Sequence, residues 1–287
     1  MAYGDLNTIL NRANEHPVIM GIINITPDSF YDGGRYATAD AAVEQGIRLA
    51  AEGADILDIG GASSRPGARA VSPEEEVERV IPVIRRLEKE FKGPISVDTT
   101  RSSVARQALE VGATWINDIS AGRADPLMPP LVAAEGKCIV VLMHMRGMPE
   151  TMQNFSQYGD VVAEVKQELL ASVNAFVKAG VNRERIVIDP GIGFAKTAEQ
   201  NVTLLRHLDA FVTTGYPVLV GTSRKSFIGR LTDREAPERL WGTLGSIASA
   251  SLHGVRIFRV HDVAAARDFL TVFSAIERPE IHNGGNS

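Results

Sequence analysis

The sequence predicts an α/β protein folded as a single (β/α)8 barrel, and three observations support this. Eight short runs rich in valine and isoleucine recur along the chain, with amphipathic stretches between them. The runs are almost continuously apolar, which is typical of parallel strands buried on both faces. The 287 residues give about 36 residues for each strand–helix unit, the size expected of a TIM barrel. A doubly wound open sheet is the alternative.

Each predicted strand is an apolar run bounded by turn residues. The first reads VIMGIIN and the fifth reads KCIVVLMH. Neither alternates strictly between apolar and polar residues, so we expect both faces of the sheet to be covered. The eight runs are residues 18–24, 54–60, 94–98, 114–119, 137–144, 185–189, 217–222 and 255–261.

Helix signals fill the intervals between the strands. Thr38 precedes a helical stretch that ends at Gly53. Ser72 and the following Pro-Glu-Glu form a capping box at the start of the next helix. That helix contains Pro82, where we expect a kink or a break because proline lacks the amide hydrogen. Later helices are predicted over residues 101–111, 161–179, 238–252 and 264–275.

We expect one domain over residues 1–287, with a core of about 18–278. No linker, low-complexity tract or shift in composition divides the sequence. A short helix is expected before the first strand, and the polar tail PEIHNGGNS is expected to fray.

Composition argues against several partners and locations. Thirty Lys+Arg against thirty-five Asp+Glu gives a net charge of −5, so no basic field attracts nucleic acid or an anionic membrane. No apolar run reaches the roughly 18 residues that span a bilayer. The first residues lack a signal peptide pattern, and the single cysteine, Cys138, cannot form an internal disulfide. We therefore expect a cytoplasmic protein.

Polar residues follow the predicted strands at the end where a barrel of this kind carries its functional site. Some of them have a structural alternative, because Asp98 is placed to cap a helix and Asp118 to hold a turn. These residues are Asn24, Asp58, Asp98, Asn117, Asp118, His144, Arg146, Asp189, residues 223–226, Arg259 and His261.

Two subsets of these residues differ in chemistry. Asp98, Asn117 and Asp189, with Lys225 opposite, suit a flat heterocycle that offers paired N–H donors and a carbonyl oxygen. A carboxylate accepts two parallel N–H bonds, the amide both donates and accepts, and the lysine donates to oxygen or to a ring nitrogen.

The second subset comes from the first and eighth strands, which are neighbours in a closed barrel. Asn24, Arg259 and His261 suit an anion or a metal-bound phosphate, since barrels often bind phosphate in this region. The alternative for His261 is a structural histidine bonded to a loop carbonyl.

Two long loops, residues 26–34 and 60–67, follow the first two strands. Each combines glycines with reactive side chains, as a lid over a site would. They are otherwise surface loops, a reading that leaves Phe30 and Arg65 poorly explained. Motifs for dinucleotides, ATP phosphates, tightly held zinc and acyl-enzyme chemistry are incomplete or missing in the sequence.

The sequence resembles one family closely, the dihydropteroate synthases of folate biosynthesis, which sulfonamides inhibit. The resemblance is specific because the matching motifs occur in order over most of the chain. They are MGIINITPDSFYDGG at 20–34, DIGGASSRPGA at 58–68, ISVDT at 95–99, INDIS at 116–120, LMHMRGMPETMQ at 142–153, IDPGIGFAKT at 188–197, GTSRKSFIG at 221–229 and RVHDV at 259–263.

The resemblance implies an enzyme that joins 6-hydroxymethyl-7,8-dihydropterin diphosphate to 4-aminobenzoate, giving 7,8-dihydropteroate and diphosphate. It also implies a homodimer, Mg²⁺ as cofactor, and sulfonamides as competitive inhibitors. In such an enzyme diphosphate leaves first, and the weakly basic aniline then captures a cation on the pterin methylene.

The resemblance also implies the roles of individual residues. The pterin would contact Asp98, Asn117, Asp189 and Lys225, and the diphosphate would contact Asn24, Arg259 and His261, with Asn24 also near Mg²⁺. The aminobenzoate pocket would use Phe30, Ser64, Arg65, Pro66, Lys225 and Ser226. The catalytic set would be Asp32, Lys225, Arg259 and His261.

One position departs from the family's pattern. The second loop has Ala62 where an acidic residue is usual, which bears on aminobenzoate affinity. Two other readings therefore stay open: a pterin-dependent methyltransferase that acts on a corrinoid protein, and a pterin-binding paralogue without catalysis. The methyltransferase would not need the SRKS and RVH elements, both of which are present.

Overall fold

A computed structural model describes residues 16–25, 35–62 and 71–277. Eight parallel strands in this part of the chain confirm the barrel. The expected N-terminal helix and frayed tail lie outside the described residues. The strands are β1 Val18–Asn24, β2 Ile56–Gly60, β3 Ile95–Asp98, β4 Trp115–Asp118, β5 Ile139–Met143, β6 Ile186–Asp189, β7 Leu219–Val220 and β8 Ile257–Val260.

The strands pair in the order β6-β5-β4-β3-β2-β1-β8-β7. A parallel bridge between Ile188 and Val218 joins the two ends of this order. The amide of Ile188 also donates to the carbonyl of Pro217 at 2.9 Å. The sheet therefore curls into a barrel that is nearly closed, and β1 and β8 are neighbours as expected.

Helices cover the outside of the barrel and mostly follow the predicted intervals. The 161–179 prediction, for example, corresponds to a helix whose first turn is capped by the Asp160 carboxylate. In the described ranges the α-helices are α1 Arg35–Ala51, α2 Pro73–Glu90, α3 Ser102–Glu110, α4 Met128–Ala134, α5 Val161–Lys178, α6 Ala198–Arg206, α7 Asp209–Val212, α8 Ser226–Thr232, α9 Leu240–Leu252 and α10 Val263–Glu277.

Three apolar clusters occur in the described residues, and two of them fill the body of the barrel. The larger one lies between the strands and the helices. The smaller one, here called the interior cluster, fills the centre of the barrel and is contributed by side chains that point inward from the strands. Its members are Val18, Met20, Ile56, Trp115, Ile139, Val141, Val187, Leu219 and Ile257.

The predicted break at Pro82 is wrong, because α2 continues through it. Val80, Val83, Ile84 and Leu87 are fully buried on both sides of the proline, so packing against the barrel holds the two halves of the helix together. Pro82 itself lies on the exposed side of the helix.

Pro82→Ala should raise the free energy of unfolding by about 2 kcal/mol, since alanine restores the helical hydrogen bond that proline cannot make. Urea denaturation measures this. Pro73→Ala is the matched control: it lies in the first turn, where the amide has no partner within the helix, and it should change stability by less than about 0.5 kcal/mol. Equal effects of the two substitutions would contradict the account.

Candidate active site

Polar residues lie at the carboxyl end of the strands, here called the barrel mouth. They are on the inward face of the strands, as the interior cluster is. Side chains two positions apart on a strand point the same way. The polar residue lies nearer the carboxyl end in every case, so the centre is apolar and the mouth is polar. The pairs are Ile56 and Asp58, Trp115 and Asn117, Val187 and Asp189, and Ile257 and Arg259.

Arg259 joins two carboxylates across this mouth. Its Nε donates to Asp58 Oδ2 at 2.6 Å, and Nη2 donates to Asp98 Oδ2 at 2.6 Å. Asn117 Nδ2 donates to the same oxygen of Asp58 at 3.2 Å. The structure therefore places Arg259 among the residues predicted for the heterocycle, as well as next to the predicted phosphate site on β1 and β8.

Asn24 and Asp98 flank Gly60 at the end of β2. A Cβ atom at this glycine would lie 3.4 Å from Cβ of Asp98 and 3.7 Å from Oδ1 of Asn24. The two side chains therefore approach each other over a position without a side chain, and Asn24 belongs to the same mouth.

Asp189 and Lys225 form the opposite side of the mouth. Asp189 Oδ1 accepts a hydrogen bond from the amide of Gly191 at 2.7 Å. Lys225 Nζ lies 3.9 Å from the centroid of the Phe194 ring, a cation–π contact. Phe194 is a site residue that was not predicted, although it lies in the IDPGIGFAKT motif at 188–197.

Burial shifts the protonation of these groups toward their neutral forms. It raises the pKa of Asp98 to about 7, an effect that Arg259 opposes and Asp58 reinforces. It raises the pKa of Asp189 to about 6 against the amide of Gly191 and the charge of Lys225. Burial together with the Arg259 charge lowers the pKa of Lys225 to about 8. Several buried groups whose pKa lies near 7 at one barrel mouth are typical of a functional site.

Within the described ranges, His261 is bonded to a side chain, that of Ser223, and to no loop carbonyl. Its backbone amide donates to Ser223 Oγ at 3.2 Å, and its Nδ1 lies 3.0 Å from the same oxygen. Burial and the charge of Arg259 lower the pKa of His261 to about 4, so the ring is neutral at pH 7. When Ser223 donates to Nδ1, the Nε2–H is left to donate to an anion.

Further predicted residues are Asp118, Ser226 and the five residues on the two loops. Asp118 has the structural role, because its carboxylate holds the turn formed by Ser120 and Gly122. Ser226 begins α8 beside Lys225 and is exposed. The predicted residues on the two loops lie outside the described residues: Phe30, Asp32, Ser64, Arg65 and Pro66.

Asp58 is predicted at a strand end but has no predicted role. Asp58 is fully buried, and its other oxygen, Oδ1, has no hydrogen-bond partner in the described part of the chain. The signal that could have found it is the alternation along β2, which places Asp58 on the inward face with Ile56.

No group of three histidine, cysteine or acidic side chains suited to a metal ion occurs in residues 16–25, 35–62 and 71–277. Across the same ranges, no helix is both long and apolar enough to cross a membrane.

Comparison with known proteins identifies the family. A family described as "Pterin binding enzyme" matches residues 20–261. The chain is 50% identical to dihydropteroate synthase from Synechocystis sp. over 261 residues, 91% of this chain and 90% of that protein. It is 48% identical to the enzyme from Mycobacterium leprae over 90% of this chain and 92% of that protein. The chain belongs to the dihydropteroate synthase family.

The fold of this family member also agrees with solved structures. The dihydropteroate synthase of Xanthomonas albilineans with 4-aminobenzoic acid has a TM-score of 0.87 and 48% identity, covering 93% of this chain and 95% of that one. The Yersinia pestis enzyme with a sulfonamide drug has a TM-score of 0.86 and 37% identity, covering 92% and 95%.

The raised pKa of Asp98 predicts how stability depends on pH. The folded carboxyl keeps its proton up to about pH 7, whereas an unfolded aspartate releases it near pH 4. Between these values the folded chain binds more protons, so this group's contribution to stability falls as pH rises. Asp98→Asn should make the decline of the unfolding free energy from pH 4 to 7 less steep.

Urea denaturation at several pH values between 4 and 7 measures this slope. The exposed Asp233→Asn is the control and should keep the wild-type slope. An unchanged slope in Asp98→Asn would show that its carboxyl is not held protonated by the site.

Proposed function

We propose that this chain is a dihydropteroate synthase, which joins 6-hydroxymethyl-7,8-dihydropterin diphosphate to 4-aminobenzoate and releases diphosphate. The observation that carries the proposal is the group of Asp98, Asn117, Asp189 and Lys225 at one barrel mouth, in a chain of this family. Relatives solved with 4-aminobenzoic acid and with 7,8-dihydropteroate support the same substrate and product here.

The pterin is proposed to bind by hydrogen bonds to these four residues. One oxygen of Asp189 is occupied by the amide of Gly191, so its second oxygen accepts from the pterin ring. Asn117 donates and accepts on the ring edge, and Lys225 donates to a ring oxygen or nitrogen. A ligand with paired N–H donors favours the ionised carboxylates, which it would stabilise against the cost of burial.

The leaving diphosphate is proposed to contact Asn24, Arg259 and His261. Arg259 supplies a full positive charge, and neutral His261 supplies one N–H donor. These groups stabilise the negative charge that develops on the leaving oxygen, and a dissociative step depends on that stabilisation. Because the aniline is a weak base that attacks a cation, the step needs little general base.

The site offers Mg²⁺ one protein ligand among the predicted residues. Asn24 offers an amide oxygen at the strand end, and Mg²⁺ usually takes one or two protein oxygens and completes its shell with water and substrate phosphate. We therefore propose Asn24 as a ligand when the diphosphate substrate is bound. The ion would neutralise phosphate charge.

The aminobenzoate pocket is proposed on the two loops and the start of α8. Phe30, Ser64, Arg65, Pro66 and Ser226 would line it together with Lys225, and Asp32 would lie beside the reacting methylene. Sulfonamides are proposed to compete for this pocket, in keeping with the solved sulfonamide complex of a relative.

A homodimer in the cytoplasm is proposed as well. Leu231 on α8 and Trp241 and Leu252 on α9 are large apolar side chains that are exposed in the single chain, and such a surface suits a second copy. Neither nucleic acid nor a membrane is proposed as a partner.

An assay of the purified protein with the pterin diphosphate, 4-aminobenzoate and Mg²⁺ tests the function. Formation of 7,8-dihydropteroate, detected by mass spectrometry, is the expected result. Binding of the pterin without turnover would favour the non-catalytic paralogue. Methyl transfer from methyltetrahydrofolate to a corrinoid protein, with no dihydropteroate formed, would favour the methyltransferase.

Arg259→Ala and His261→Ala should differ in which ligand they affect. Arg259 contacts two of the carboxylates at the mouth, so Arg259→Ala should weaken both the pterin diphosphate and a pterin without phosphate, by about 2 to 5 kcal/mol for the diphosphate. His261→Ala should weaken only the diphosphate, by about 0.5 to 1.5 kcal/mol.

Calorimetry with the two ligands measures both effects. Loss of phosphate-free pterin binding in His261→Ala, equal to its loss of diphosphate binding, would show that His261 does not act on the leaving group.

A further inference from the structure

A buried lysine lies behind the proposed pterin site and takes no part in the mechanism so far. Lys196 is 4% exposed. Its Nζ lies 3.0 Å from the carbonyl of Gly191, 2.9 Å from the carbonyl of Phe194 and 3.1 Å from Nδ1 of His144. An ammonium group has three hydrogens, so these acceptors use all of them.

The carboxylate of Glu168 fixes the histidine tautomer, because a carboxylate can only accept a hydrogen bond from the histidine ring. Nε2 of His144 lies 3.0 Å from Glu168 Oε2 and donates to it, so Nδ1 of the neutral ring is left to accept from Lys196. Glu168 is in turn held by an ion pair with Arg146. A single chain of hydrogen bonds therefore runs from the partly exposed Glu168 to the loop that carries Phe194.

The loop of residues 190–196 has a backbone that needs such support. Gly191, Gly193 and Ala195 have φ angles of +71°, +85° and +50°, and this left-handed region is unfavourable for alanine. A Cβ at Gly191 would lie 1.9 Å from the carbonyl oxygen of His144. The loop is thus pressed against the end of β5, beside the histidine that Lys196 contacts.

The same loop positions the groups proposed to bind the pterin. The amide of Gly191 donates to Asp189, and the ring of Phe194 lies under Lys225 Nζ. A Cβ at Gly193 would lie 2.9 Å from Cδ of Lys225, so the alkyl chain of this lysine rests on the loop backbone. A shift of the loop would therefore move Asp189 and Lys225 together.

We propose that Lys196, oriented by His144 and Glu168, is a positioning residue that holds the 190–196 loop so that Asp189 and Lys225 meet the pterin. This rests on the proposed function. Lys196 acts through the carbonyls of Gly191 and Phe194 and does not touch the substrate.

Lys196→Met tests the proposal, because it keeps the length of the side chain and removes all three donors. Arg267→Met is the matched control: Arg267 also donates to a backbone carbonyl, that of Gly53, and to a carboxylate, that of Asp55, but at the opposite end of the barrel. Thermal unfolding and calorimetry with a phosphate-free pterin are measured for both variants.

We expect both variants to unfold at lower temperature, but only Lys196→Met to bind the pterin at least fivefold more weakly than the wild type. A smaller loss in Lys196→Met, or an equal loss in Arg267→Met, would overturn the proposal. Should Lys196→Met not fold, Lys196→Gln replaces it under the same fivefold criterion. A wild type that binds no pterin would instead refute the proposed function.

A second measurement tests the hydrogen-bond chain in the wild type. Burial lowers the pKa of Lys196 to about 7 and that of His144 to about 3, so at pH 6 the lysine is charged and the ring is neutral. Nitrogen-15 NMR of the histidine rings at pH 6, with His144 assigned from a His144→Gln variant, should show the Nε2–H tautomer. A proton on Nδ1 would require Lys196 to accept a hydrogen bond from that atom. This result would overturn the proposed positioning role of Lys196 whatever the variants show.

Discussion

The ion pair of Arg259 with Asp58 and its hydrogen bond to Asp98 are the constraint on which the rest of the site depends. A fully buried carboxylate such as Asp58 is costly unless it is paired and hydrogen-bonded. One guanidinium, which projects from β8, contacts one oxygen of an aspartate on β2 and one oxygen of an aspartate on β3, so it links these three strands at the mouth. The acidic residues that suit a pterin can be brought this close only because of that charge.

The balance of charge at the mouth also explains its protonation. Three carboxylates, from Asp58, Asp98 and Asp189, face the positive charges of Arg259 and Lys225. Burial disfavours the uncompensated ion, and the pKa of Asp98 and of Asp189 rises toward neutrality as a result. Donors of a heterocycle would supply the missing compensation, which makes the site selective for ligands rich in N–H groups.

Sequence patterns predict the barrel well because each strand is a continuous apolar run, and they misjudge what depends on packing. β7 has only Leu219 and Val220 in the ladder, although six residues are predicted. Helix α2 passes through Pro82 because its buried neighbours on both sides pack against the barrel. Local preferences carry no information about such tertiary support.

In the site, too, local sequence predicts some features, and tertiary contacts decide others. The residues at strand ends are predictable because parallel strands bring their carboxyl ends to one face, as Asn117 and Asp189 show. The contacts of Arg259 with two aspartates and those of Lys196 with the 190–196 loop and His144 are not predictable. Each depends on which distant side chains the closed barrel brings within hydrogen-bond distance. His144 and Lys196, for example, are 52 residues apart in the sequence.

The most direct test of the central role of Arg259 is a double-mutant cycle on the free energy of unfolding at pH 7, with Arg259→Met, Asp58→Asn and the double variant. Arg259→Met alone should cost about 3 to 5 kcal/mol, because it leaves the buried Asp58 carboxylate without its charged partner. The double variant should be more stable than the sum of the single effects predicts, by about 1 to 3 kcal/mol, since the neutral amide that replaces the Asp58 carboxylate no longer needs the cation. Effects that add to within about 0.5 kcal/mol would contradict the account.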